Sequence, residues 1–227
     1  MKQREWIGIA DLMSGMMMIF LFIAVAFMLK VKNDQRAVFE IAEDYRQSAA
    51  RLHTELSRSF AHDLARWKAE LTTDNAIVFH APQTLFRSGS STISPYFQNI
   101  LNDFIPRYLA VLHRYGKLIA EVRIEGHTSN RWAGAHDAYE RYVNNMRLSQ
   151  QRALHVLEYG YLKALPAYRR WYVKRVHAVG MAYSEPLLLP DGRIDARRSK
   201  RVVFKVVLAA DARIGAMLKK MGNDAKE

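Results

Sequence analysis

Residues 117–130, KLIAEVRIEGHTSN, decide the fold class. Leu118, Ala120, Val122 and Ile124 recur at period two, which is the pattern of a strand with one buried face. Gly126 to Asn130 is a turn-rich exit from that strand, and after a variable stretch helical spacing resumes from about Asn144 to Leu162. A strand that leaves through a turn into a helix sets the rhythm for the rest of the domain.

Downstream, Tyr172 to Val179 and Lys200 to Ala209 read as two more strands, parted by a loop holding Pro186, Pro190 and Gly192. Upstream, Ala76 to His80 (AIVFH) is rich in strand formers and runs into the loop signals Pro82 and Ser88-Gly89. Ser94-Pro95 starts a helix, the serine capping and the proline standing where its missing N–H does no harm. Phe97, Ile100, Leu101, Phe104, Leu109 and Leu112 supply its buried stripe, Pro106 is expected to kink or break it, and Gly116 to stop it. The order strand, helix, strand, helix, strand, strand implies an α+β domain over 74–210, a mixed sheet with helices layered on one face. Residues 211–227 read as a short C-terminal helix or tail.

Before this domain, 33–73 forms a helical connector without proline or glycine from Asn33 to Leu71. Val38, Ile41, Tyr45, Ser48 and Leu52 keep a 3,4,3,4 seam, after which steps of four loosen it. Two readings stay open: a parallel dimeric coiled coil, or one amphipathic helix lying on the next domain.

The segment 1–32 contains IGIADLMSGMMMIFLFIAVAFML, residues 7–29, with one charge, Asp11. That is long enough to cross a hydrocarbon core of about 30 Å as a single transmembrane helix. The run continues past the cleavage-like Ala24-Val25-Ala26, so it reads as an anchor and not as a removed signal peptide. A carboxyl inside such a span costs about 2.5–3.5 kcal/mol on insertion scales, which points to ion handling; the plainer role is snorkelling to Lys2 or Arg4. Gly8, Asp11, Ser14, Gly15 and Met18 share one helix face, which should meet protein. Basic residues flank both ends, so charge alone does not set the orientation.

The chain has 227 residues and a formal charge of 34 minus 22, or +12. With no cysteine there is no disulfide, thiolate metal site or cysteine nucleophile. The eight histidines show no dense ligand spacing and there is no phosphate-binding loop, so neither a metal, a cofactor nor an enzyme is expected. Lys163 to Lys205 holds 11 Lys and Arg against Glu185, Asp191 and Asp195, and should attract polyanions. Direct nucleic-acid binding is not favoured, because Tyr168, Trp171 and Tyr172 fit a core or interface as well as base stacking.

A strand ending in GHT (126–128), then NNMRLSQQRA (144–153), a strand with Gly180 and finally SKRVVFKV (199–206) resembles the OmpA-like peptidoglycan-binding domain, over about 75–210. That family's Asn-x-x-Leu-Ser-x-x-Arg-Ala motif stands unbroken as Asn145, Leu148, Ser149, Arg152 and Ala153. The resemblance implies that Arg152 binds the carboxylate of the diaminopimelate stem residue; the plainer role for it is a surface ion pair. Asn145, Leu148 and Arg152 fall at i, i+3 and i+7 and so share one face with that contact. Where the family has aspartate after GHT, this chain has Ser129, and either Asp137 returns a carboxylate to that spot or the contact is absent. His127 and Thr128 are read as satisfying backbone groups in the turn.

The span joined to such a domain resembles the MotB-like stator subunits, and the run Asp-Leu-Met-Ser-Gly-Met-Met (11–17) is similar to the ZorB family of the Zorya anti-phage defence motors. This resemblance implies a peptidoglycan-anchored subunit of an ion-driven rotary motor in the bacterial inner membrane. Its amino terminus would be cytoplasmic, the domain periplasmic, and Asp11 the carrier of H+ before Na+. The implied partners are a second copy, as a homodimer, and a pentameric multi-span MotA/ZorA-like membrane protein. The alternatives are a passive OmpA-type wall tether and a flagellar-type stator subunit.

Overall fold

A computed structural model describes residues 2–80, 82–87 and 89–209; within helices, the side chains of 2–11, Ile41, Asp44, Pro82 and Gln83 lie outside that description. The expected tail 211–227 lies outside the described residues. The chain divides into two units, residues 1–44 and the part from Tyr45 onward.

The first unit is helical throughout its described length, as part of α1 (Lys2–Trp67). From Leu12 to Leu29 every side chain is exposed, Phe22 at 76% and Met17 at 75%. These residues alone rise about 27 Å, close to the thickness of a bilayer core. A continuous apolar surface that its own chain leaves uncovered calls for lipid or other helices.

In the second unit five strands form one mixed sheet: β1 (Ala69–Leu71), β2 (Ala76–Phe79), β3 (Ile119–His127), β4 (Val176–Ala182) and β5 (Arg201–Leu208). Their order is β1-β2-β5-β3-β4, and β3 with β4 is the parallel pair. The helices are α2 (Pro82–Leu85), α3 (Pro95–Arg114), α4 (Ala138–Lys163) and α5 (Pro166–Arg175). Ile77, Phe79, Val122, Ile124, Val202 and Phe204 bury one sheet face against these helices and the second half of α1. The two-layer α+β reading of the sequence therefore stands.

The expected helix start is present, with Ser94 Oγ accepting the Phe97 N–H at 3.1 Å and Pro95 in the first turn. Pro106 does not break α3, which runs on to Arg114. An interior proline costs about 3 kcal/mol. Leu101, Phe104, Ile105, Tyr108 and Leu109 on either side of it are buried, and that packing outweighs the lost bond.

The connector helix ends sooner than its spacing suggests. Lys68 takes a positive φ of 53°, and Ala69–Leu71 turns back as β1 to pair with β2. Leu52, Leu56 and Phe60 are fully buried in the core of their own domain, with Tyr45, Ala49 and Leu64 packed beside them. From Tyr45 onward the amphipathic-helix reading describes the helix, and Tyr45 and Leu52 of the heptad seam face the domain. Arg107 clamps this part of α1 to α3, its Nη1 2.8 Å from Asp63 and its guanidinium 4.8 Å over the Phe60 ring.

Two more elements differ from expectation. In β3 the register shifts between Ile119 and Glu121, so Ile119 joins Val122 and Ile124 in the core, while Leu118 precedes the strand and is 40% exposed. A one-residue bulge reverses which side chains face inward. Residues 172–175, read as strand, close α5, which starts at Pro166; Tyr172 is buried as a helical residue and β4 begins at Val176.

Tyr108 is buried against Phe104, and its hydroxyl has no hydrogen-bond partner among the described residues. Burial pushes that phenol far above its ordinary pKa. Removing an unsatisfied buried polar group recovers its desolvation cost, so Tyr108→Phe is expected to stabilise the protein by about 1 kcal/mol. Urea unfolding of the detergent-solubilised chain checks this; a destabilised variant would reveal a partner for the hydroxyl.

Candidate functional site

α4 lies against the sheet where β3 and β4 present glycines to it. Gly126 and Gly180 are register partners. A Cβ on Gly126 would collide with the Ser149 carbonyl, and one on Gly180 would stand 2.8 Å from the Gln150 nitrogen. The helix also reaches over the outer edge of β4. Ser149 Oγ accepts the Ala182 N–H at 3.0 Å, Gln150 Oε1 accepts the Gly180 N–H at 2.6 Å, and Gln150 Nε2 donates to the Ala178 carbonyl at 3.3 Å. These contacts fix the helix in register with the end of β3. Gly126→Ala must push α4 away, and is expected to cost about 3 kcal/mol and to loosen the cavity at the end of β3, as thermal unfolding and a ligand titration would show.

A cavity of about 510 Å³ opens where β3 runs out. Thr128, Ser129, Arg131, Trp132 and Ala133 line it from the exit of β3, Asn145, Leu148 and Arg152 from α4, Arg87 and Gly89 from the loop before α3, and Lys200 from the approach to β5. Four of the sequence-predicted residues, Ser129, Asn145, Leu148 and Arg152, thus meet in one place. Asp137 does not line the cavity. It is the N-cap of α4, its Oδ1 accepting the Glu140 N–H at 2.6 Å, while Glu140 Oε2 accepts the His136 N–H at 2.9 Å in a relative of the capping box. Its carboxylate is engaged in starting the helix.

Arg152 is only 7% exposed. Its Nε donates to the Ser90 carbonyl at 3.0 Å and its guanidinium lies 4.9 Å over the Phe86 ring. No carboxylate pairs with it among the described residues, so the surface ion pair is not its role. Burial pushes its pKa down to about 10, which leaves it charged at neutral pH but poorly solvated. Arg87, Arg131 and Lys200 are likewise unpaired with carboxylates among the described residues. An anion entering the cavity would supply the missing counter-charge.

Asn145 Nδ2 donates to the carbonyls of Arg141 at 2.9 Å and Arg131 at 3.5 Å, holding the exit loop against α4. Thr128 is 3% exposed, and its Oγ1 has no partner among the described residues. Its backbone N–H donates to the Ala182 carbonyl, and the hydroxyl, expected to satisfy the turn, does not do so among the described residues. The sequence signal for Thr128 was present in GHT; none identified Arg87 and Trp132, which the fold brings in from separate loops.

On the other sheet face Glu125, His127 and Glu185 bring ligand-type atoms within 4.8 Å of one another. His127 Nε2 is 3.4 Å from Glu125 Oε2, and burial lowers the His127 pKa. The guanidinium of Arg201 donates to the Glu185 carbonyl at 3.1 Å and lies 3.9 Å from its carboxylate. Asp11 belongs to the first unit; it lies on α1, and its side chain is outside the described ones.

Residues 85–199 match the OmpA family. The Zorya protein ZorB of Escherichia coli (strain Crooks) is 41% identical over 212 residues, 92% of this chain and 90% of that protein. Among solved structures, a putative MotB-like protein from Desulfovibrio vulgaris has a TM-score of 0.50 at 19% identity, covering 75% of this chain and 98% of that one. The cell wall anchor of the T6SS from Pseudomonas aeruginosa has a TM-score of 0.48 at 24% identity, covering 67% of this chain and 96% of that one. The Desulfovibrio likeness shows a shared fold.

Proposed function

We propose, for a chain that belongs to the OmpA family and within it to the ZorB proteins, that it is the wall-anchored subunit of an ion-driven membrane motor acting in anti-phage defence. The observation that carries the anchoring role is Arg152: a buried guanidinium without a carboxylate partner, in a cavity with three more cations. A planar fork of donors suits a carboxylate. The ligand is the diaminopimelate carboxylate of a peptidoglycan stem peptide, framed by Asn145 and Leu148.

In this reading the apolar part of α1 spans the bacterial inner membrane, with the amino terminus in the cytoplasm and the cavity in the periplasm. Two copies sit inside a pentamer of a multi-span MotA/ZorA-like protein, and Asp11 carries the ion, H+ before Na+. An intramembrane carboxyl on a face with Gly8, Ser14 and Gly15 supports that role, because small neighbours let partner helices approach it. The protein is a torque-bearing anchor and not an enzyme.

The anchoring role is tested by sedimenting isolated sacculi with the detergent-solubilised chain. Binding should pellet the protein at 0.1 M salt, where screening extends over about 10 Å, and weaken toward 1 M, where it falls to about 3 Å. A chain that stays in the supernatant at low salt would refute it.

A further inference from the structure

We infer that the cavity selects stem peptides whose diaminopimelate amine is acylated, as in a cross-link, over stems that end in a free amine. This deepens the wall-binding reading above and rests on it. The uncross-linked stem is a zwitterion at that residue, a carboxylate beside an ammonium, whereas cross-linking turns the ammonium into a neutral amide. A site that receives the free form well needs a counter-charge of each sign.

This cavity has one sign only. Arg87, Arg131, Arg152 and Lys200 line it, and among the described residues no aspartate or glutamate does. Asp137, the carboxylate the sequence offered in exchange for the one missing at Ser129, is spent on the first turn of α4. In its place the lining offers the neutral residues Ser129 and Trp132. A neutral amide meets no charge repulsion there, while an ammonium brought among four cations is repelled by each of them.

The probes are three soluble disaccharide-tetrapeptides, in which one diaminopimelate carboxyl is taken up in the peptide bond to the fourth residue: one with the diaminopimelate amine free, one with it acetylated, and one with the amine free and the remaining diaminopimelate carboxylate amidated. Titrated into the full detergent-solubilised chain, the acetylated form should bind about three- to tenfold tighter than the free amine, and amidation of the carboxylate should weaken binding more than about tenfold. Ser129→Asp, which returns a carboxylate to the cavity wall, should reverse the order of the first two. If the free-amine form binds the natural chain as well as or better than the acetylated one while amidation still weakens binding, the selectivity inferred here is overturned and the wall-binding reading stands. If none of the three binds, both fall.

Discussion

Arg152→Ala should cut recovery on isolated peptidoglycan by about 10- to 100-fold, since hydrogen bonds to charged groups contribute about 1.5–3 kcal/mol and each 1.4 kcal/mol is a factor of ten. Arg152→Lys should restore only part of it, because an ammonium cannot make the forked contact and is more strongly hydrated. The stability of the free protein should change far less than its binding. Burial already penalises this guanidinium, and what the substitution loses is one hydrogen bond to Ser90 and the contact with Phe86. A variant that binds sacculi normally would reduce the helix motif to scaffold and end the anchoring proposal. A variant that fails to bind but also melts well below the natural chain would place Arg152 in the core instead of the site.

Asp11→Asn should abolish motor function outright while leaving sacculus binding and membrane insertion unchanged. Asparagine matches the carboxyl in size and hydrogen bonding but cannot cycle between charged and neutral forms. The readouts are ion flux in vesicles holding the chain with its multi-span partner, and protection of cells against phage. Normal flux and protection in that variant would leave Asp11 as an assembly contact and make the protein a passive tether.

The sequence carried the architecture because its apolar residues keep recognisable periods: Val122 and Ile124 in β3, the stripe of α3 and the unbroken motif of α4 each point to one element. Local errors arose where tertiary packing overrides local preference. Pro106 is held inside α3 by the buried residues around it, and the register shift at Ile119 exchanges faces in a way no alternation rule contains. Tyr172 looks like a strand residue, yet Pro166 commits the preceding stretch to a helix. Asn145, Leu148 and Arg152 were legible as a motif on α4. Arg87, Trp132 and Lys200 were not, because only folding brings three separate loops to one opening.

For the proposed wall anchor, the order of the sheet has a mechanical meaning. The ligand-bearing helix α4 is fastened to β4 by Ser149 and Gln150, at one edge, and α1 enters the sheet through β1 at the other. Along the sheet alone, all four strand pairings would stand in series between wall and membrane, and the weakest would set the strength. The Arg107 clamp, with Arg114 on Glu55 and Phe60 on Phe104, joins α1 directly to α3. It places a second route in parallel, so tension can bypass the three-residue β1 and reach the core through α1 itself.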